Sequence, residues 1–403
     1  MSERRIADVY LNLGHVVDHL LMLIYPTVLL AMSKEVVGSY GEALTLSLGG
    51  FVAFGACSLP AGWLGDRWSR HAMMVLFFLG IGGASVLTGL ARSPVEIAIG
   101  LTLVGVFAAV YHPVGIAMLV SNRENVGAAL GINGVAGNLG VALAALVAAG
   151  LADLIHWRAS FIVPGVVAMA IGIGFAVMVR RPAAEAGNAR RVPGTGGPAH
   201  SVAVIRRVFL VLMAATIFGG LIFNATTVAM PKLFAERLQA LVGTTFGIGV
   251  MVSAVYVLAA VAQLCVGYVI DRRGLRALLI AIAACQVPFL FLAGTAQGWA
   301  MLFVAIAMMF VIFGQIPIND AVVARYTDEH WRSRVYALRY VASFGASALA
   351  VPLVAYLHES TGGFARTFSV LSVFAFGTLV ASFCLPGGGT AATETGRLGA
   401  RPS

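Results

Sequence analysis

Three titratable side chains, His15, Asp18 and His19, interrupt the apolar run GHVVDHLLML (14–23). Spacings of three and four residues put all three on one face of a helix. Imidazole changes charge near neutral pH, so the trio can carry a proton. Imidazole and carboxylate together also suit a divalent first-row metal ion, which makes His15, Asp18 and His19 a candidate metal set as well. His112, within YHPVG (111–115), is a fourth group of this kind. A second pair lies far along the chain: Asp320 in GQIPIND and Arg339 in YALRYV. Tyr25, Asn224 and Asn319 are further polar candidates in apolar surroundings.

The setting of these groups gives them meaning. The 403 residues are 60% hydrophobic and only 11% charged. A soluble domain is nearer one quarter charged. The apolar runs reach roughly 20 residues, enough to cross the hydrocarbon of a bilayer. The composition therefore predicts a polytopic all-α membrane protein, and an ionisable residue within a span marks a functional site by default. The first apolar segment lacks an A-x-A cleavage site and reads as a retained span.

Hydropathy, Gly/Pro breaks and charge clusters predict twelve spans, at 8–32, 42–65, 71–91, 94–120, 126–152, 158–179, 206–233, 243–270, 275–296, 298–325, 333–357 and 364–385. The polar, Pro/Gly/Arg-rich stretch 180–205 reads as a connector between residues 1–179 and 206–385, two six-helix halves. Residues 386–403 read as a disordered tail. With both termini on one side, nineteen of the 26 Lys and Arg residues fall on that side and six on the other, with Arg339 inside a span. The positive-inside rule then places both termini in the cytoplasm of a multi-pass protein in a bacterial inner membrane. The net charge of +9 is thereby topological, and nucleic acid is excluded as a partner.

A shift of 205 residues superimposes the chain on itself. GWLGDRWSRH (62–71) lands on GYVIDRRGLR (267–276), and Gly14, Pro26 and Gly38 land on Gly219, Pro231 and Gly243. Parallel repeats of six spans, related by a pseudo-two-fold axis along the membrane normal, are a transporter architecture with the site between the halves. The duplicated G-x-[LV]-x-D-R loop, after the second and eighth spans, resembles the signature loop of the major facilitator superfamily. The resemblance covers the whole chain and includes WRASF (157–161) leading into the sixth span. It implies that Gly62, Asp66, Arg67, Arg70, Gly267, Asp271 and Arg272 form a conformational latch of the outward-open state. GHVVDHLLMLIYP and YHPVG further resemble the fosmidomycin-resistance-like branch of drug and small-molecule exporters.

In that superfamily spans one and four line the same side of the cavity, so His15, Asp18, His19 and His112 are expected to meet in one polar pocket. Asp18 lies roughly 15 Å and His112 roughly 12 Å along their spans from the cytoplasmic ends. These four are the proton-coupling candidates. Asp320 and Arg339 lie at matching depths on neighbouring spans, where a salt bridge or a shared anion site is expected. With Tyr25, Asn224 and Asn319 they are the substrate-binding or gating candidates. Gly127, Gly131, Gly134, Gly137 and Gly140 give span five a small-residue face suited to close helix packing. Proton-coupled drug exporters of the superfamily carry a proline within such a glycine motif, and this span has none.

No G-x-x-x-x-G-K-[ST], H-E-x-x-H or G-x-S-x-G occurs, which argues against an ATP-driven pump, an intramembrane protease or a lipase. The expectation is a non-enzymatic secondary transporter without a cofactor, a monomer in the lipid bilayer. It would move a small organic solute by alternating access with protons as the coupling ion, and export of drugs or organic anions is one direction left open. A divalent-metal transporter using His15, Asp18 and His19 and a membrane-embedded transferase are the alternatives.

Overall fold

The computed structural model describes residues 3–32, 38–121, 123, 126–179, 201–270, 272, 274–326 and 329–386. The twelve spans are helical because lipid offers a peptide group no partner, so each must bond within its own segment. Span 1 is Glu3–Leu23 continued by Tyr25–Val28, and span 2 is Tyr40–Thr45 continued by Leu48–Arg67. Span 3 is Arg70–Leu90. Span 4 comprises Pro94–Ala108, a π-helical turn at Tyr111–Gly115 and Ile116–Val120. Spans 5 and 6 are Val126–Leu154 and Ala159–Met178. The second half repeats the series as Val202–Arg237, Thr245–Ile270, Leu275–Ala293, Gly298–Tyr326, Glu329–Thr361 and Ala365–Phe383, spans 7 to 12. Eleven of these stretches are long and apolar enough to cross a membrane. Span 1, which carries Glu3, Arg4, Arg5, Asp8 and Asp18, completes the twelve.

Serine caps set several entries. Ser69 Oγ accepts from Ala72 N–H, Ser93 from Glu96, and Ser39 forms a reciprocal capping box with Glu42. Ser201 accepts from Val204 N–H, so span 7 starts at Val202, four residues before the boundary expected at 206. Residues 180–200 of the expected connector, the tail after 386, Lys34 and Asp271 lie outside the described residues.

The repeat is visible in the packing. In the first half span 1 packs on span 5, span 3 on span 6, and span 4 on spans 2 and 3. In the second half span 7 packs on span 11, span 9 on span 12, and span 10 on spans 8 and 9. The halves meet through span 5 against span 8 and span 2 against span 11. An even number of spans leaves Glu3 and Phe383 on one face, here called the terminal face.

The two halves meet tightly at the far face. A Cβ on Gly249 would stand 2.7 Å from the carbonyl of Ala145, Ser253 donates to the carbonyl of Ala142, and Phe246 N–H donates to Asp153 at 2.7 Å. Among the described residues, Gly131, Gly134 and Gly267 have nothing within 4 Å of where a Cβ would stand.

Candidate functional site

Two local irregularities build the site. Pro26 follows the break of span 1 at Ile24, where a proline can start a helix but not continue one. Pro113 lacks the N–H that a regular span 4 would need, and the chain answers with a π turn over Tyr111–Gly115. Such turns are common at functional sites because they redirect side chains. Here the turn places Tyr111 and His112 against span 1. Gly14 and Gly115 leave room for the Tyr111 ring, since a Cβ on either would lie 2.9 Å from it.

The four candidates from spans 1 and 4 come together. His15 Nδ1 bonds the main-chain carbonyl of Asn133 at 2.7 Å, and His15 Nε2 lies 3.1 Å from His19 Nε2. His112 Nε2 stands 3.5 Å from an oxygen of Asp18. The His112 ring lies edge-on to His15 at 5.3 Å and to His19 at 5.6 Å. Tyr111 stacks on His15 at 4.9 Å and donates its hydroxyl proton to the carbonyl of Leu11 at 2.8 Å. Asp18 is fully buried, and among the described residues its oxygens have no hydrogen-bond partner closer than the His112 contact at 3.5 Å. A carboxylate in that position costs about 1–3 kcal/mol or more. No packing role explains it.

The arrangement can exchange protons. It could also hold a metal ion, since nitrogens of His15, His19 and His112 lie within 4.8 Å of one another. The geometry thus assembles the third imidazole from span 4, where the sequence had offered His15, Asp18 and His19. The cluster has no counterpart in the second half. The 205-residue shift replaces His15, Asp18, His19 and His112 by Gly220, Phe223, Asn224 and Pro317. The corresponding region there is an amide chain, with Gln286 donating to Gln315 at 2.8 Å and Gln315 to the carbonyl of Ala215 at 3.2 Å.

The remaining candidates are distributed. Arg339 bonds Asp320 at 2.5 Å, the expected pair between spans 10 and 11. Asn224 donates to the carbonyl of Gly220 one turn back on its own helix, and Asn319 is half-buried on span 10. Tyr25 is buried and donates to the carbonyl of Ala43 at 2.7 Å, which makes it a tie between spans 1 and 2. In the loop after span 2, Asp66 pairs with Arg70 at 2.7 Å and Arg67 lies over the Trp63 ring at 5.2 Å. A Cβ on Gly62 would meet Pro113 at 3.1 Å. Arg272 lies over Tyr268 at 4.0 Å. Each of these described contacts lies within its own half.

Sequence reasoning missed Asn12 and Asn133, which brace the cluster, and Asn138 and Gln263, which bridge spans 5 and 8 at 3.0 Å. The signal lay in the stretch GINGVAGN, where asparagines alternate with the glycines that drew attention. At the far face Tyr40 of span 2 is flanked by the His358 ring at 4.8 Å and by Lys232 Nζ at 5.7 Å, and Glu236 reaches both Lys232 and His358. Gly41 N–H donates to Glu359 at 3.1 Å beside it. A cavity of about 380 Å³ between Leu29, Tyr40, Lys232 and Ile248 opens there. Its one cation already has Glu236, so the cavity adds no chemistry to rival the histidine cluster.

Comparison with known proteins gives consistent results. The family model described as Major Facilitator Superfamily matches residues 11–244 and 238–397. Puromycin resistance protein pur8 of Streptomyces alboniger is 30% identical over 132 residues, which span 32% of this chain and 26% of that relative. Among solved structures, a D-xylose-proton symporter superposes with a TM-score of 0.74 at 13% identity, covering 94% of this chain and 96% of its own. A bacterial homolog of the human lysosomal transporter Spinster, in an inward-facing and occupied conformation, gives 0.71 at 13% identity, covering 98% and 96%.

Proposed function

Because the chain belongs to the major facilitator superfamily of transporters, we propose that it moves a small organic solute across a bacterial inner membrane by alternating access, driven by protons exchanged at His15, Asp18, His19 and His112. The observation that carries this reading is Asp18, fully buried with His112 at 3.5 Å as its one polar partner among the described residues. An intramembrane carboxyl kept at such cost is explained by a proton it must take and release.

The distribution of basic residues supports a cytoplasmic location for both termini, which makes the terminal face the cytoplasmic one in this reading. Arg339 and Asp320, with Asn224 and Asn319, supply the polar contacts on the opposite side of the cavity. Tyr25 belongs to the gating frame. Gly62, Asp66, Arg67, Arg70, Gly267, Asp271 and Arg272 are the latch, engaged when the cytoplasmic face closes. Export is the favoured direction. The exporter-like motifs of spans 1 and 4 and the partial likeness to a puromycin resistance protein both support it. The protein works as a monomer.

Thermal unfolding of the purified protein with puromycin, a phosphonate antibiotic, small organic anions and Zn²⁺ tests the proposal. A bound ligand raises the melting temperature by mass action. An organic hit whose strength depends on pH is the expected result. A Zn²⁺ hit lost in His15→Ala, with no organic hit, would overturn it in favour of metal cargo, a reading the three clustered imidazoles allow.

A further inference from the structure

The glycines of span 5 have a second use besides helix packing. A Cβ on Gly137 would stand 2.6 Å from Cε1 and Nε2 of His15 and 2.9 Å from its Nδ1. A Cβ on Gly140 would stand 2.5 Å from the carbonyl oxygen of Val16 and 3.1 Å from Cβ of His19. Both positions therefore seat one turn of span 1, the turn that carries the histidines. Within a helix the carbonyl of residue 133 faces the N–H of residue 137. Its second lone pair is reachable from the side only where residue 137 has no side chain. His15 Nδ1 uses that opening, at 2.7 Å.

A carbonyl oxygen only accepts, so His15 Nδ1 carries a hydrogen. The neutral ring then has its lone pair on Nε2, and the 3.1 Å contact requires the hydrogen of that bond to sit on Nε2 of His19. We propose that Gly137 and the Asn133 carbonyl form a socket that fixes the His15 tautomer, so that His15 and His19 share one exchangeable proton between their Nε2 atoms. The step balances. A proton arriving at Nδ1 of His19 lets the bridging hydrogen pass from Nε2 of His19 to Nε2 of His15, while Nδ1–H of His15 stays on Asn133. Departure reverses these moves.

The socket is braced on its other sides. Asn133 Nδ2 donates to the Tyr111 hydroxyl at 2.8 Å and to Asn12 at 3.0 Å, and the Tyr111 ring covers His15. Among the described residues, the titratable groups around the histidine pair are Asp18 on span 1 and Tyr111 and His112 on span 4, and span 5 brings the Asn133 amide and carbonyl. Gly137 and Asn133 are positioning residues, acting through His15. This inference rests on the proton-coupling reading of the same cluster.

Two experiments test it. In proteoliposomes Gly137→Ala should move the pH of half-maximal proton-driven transport by about one unit, while the KM for solute exchange at fixed pH changes less than about twofold. Gly83→Ala, whose new methyl meets nothing within 4 Å, should leave both unchanged. A wild-type pH profile in Gly137→Ala overturns the proposal. Nitrogen-15 NMR of histidine-labelled protein serves even if that variant does not fold. His15 should show hydrogen on Nδ1 and an Nε2–Nε2 coupling to His19 that His19→Gln abolishes, and a hydrogen on Nε2 of neutral His15 would refute the socket. If transport proves independent of protons while the NMR signature is present, the coupling reading fails and the tautomer assignment stands.

Discussion

Asp18→Asn separates a structural role from a coupling role. The side chain is fully buried, and its one polar contact among the described residues is His112 Nε2 at 3.5 Å. At an effective dielectric of about 20, opposite charges at that separation attract by roughly 5 kcal/mol. Desolvation costs several kcal/mol for each ion. The terms nearly cancel, so the ionic pair and the neutral pair are close in energy and a change in water access is enough to move the proton. Asparagine keeps the volume and removes the charge. The variant should melt at the wild-type temperature or higher, with a gain of up to about 1–3 kcal/mol from the buried carboxylate it no longer carries. Proton-driven transport should fall at least about a hundredfold, because ~3 kcal/mol of the lost attraction suffices for that. Solute exchange across a membrane with no pH gradient should persist. Thermal unfolding and the two transport assays on one preparation give all three numbers. A lowered melting temperature with coupling reduced only in proportion would make Asp18 structural and refute the reasoning.

Other expectations concern the moving parts. Asn138 and Gln263 form the mid-membrane bridge between the halves. Hydrogen bonds between membrane helices are worth about 0.6 kcal/mol on average, so Asn138→Ala should shift the inward–outward populations by about threefold. Spin-label distances across spans 5 and 8 report it, and a double variant with Gln263→Ala should add nothing; additive shifts would contradict the bridge. At the far face Tyr40→Ala should raise the share of molecules open on that side, read by cysteine labelling. Tyr40→Phe should not, because the Tyr40 hydroxyl is buried without a hydrogen bond and only the ring meets His358 and Lys232. Equal effects of the two substitutions would show that the ring is not the gate.

The fold was legible because lipid forces periodicity and length onto the chain, and because GWLGDRWSRH and GYVIDRRGLR mark the two halves at one offset. Spacing of three and four put His15, Asp18 and His19 on one helix face, and the resemblance, which sets spans one and four on the same side of the cavity, added His112. The latch loop could be placed, and its i,i+4 spacing fits the observed pair of Asp66 with Arg70. Gly137 was read as a packing residue. Its role depends on which ring of span 1 meets it, a matter of register between two helices that no local pattern encodes. Asn133 escaped for the same reason, as its carbonyl belongs to every residue type. Tyr25 looked like a cavity residue because tyrosine in a span needs a partner, and the partner proved to be the carbonyl of Ala43.

The most direct test of the account is proton movement evoked by solute. Proteoliposomes carrying a pH-sensitive dye would receive whichever panel compound stabilises the protein. The account predicts a pH change on solute addition in the wild-type protein and none in Asp18→Asn. Solute transport that continues at the same rate after the pH gradient is collapsed, with no dye response, would contradict it.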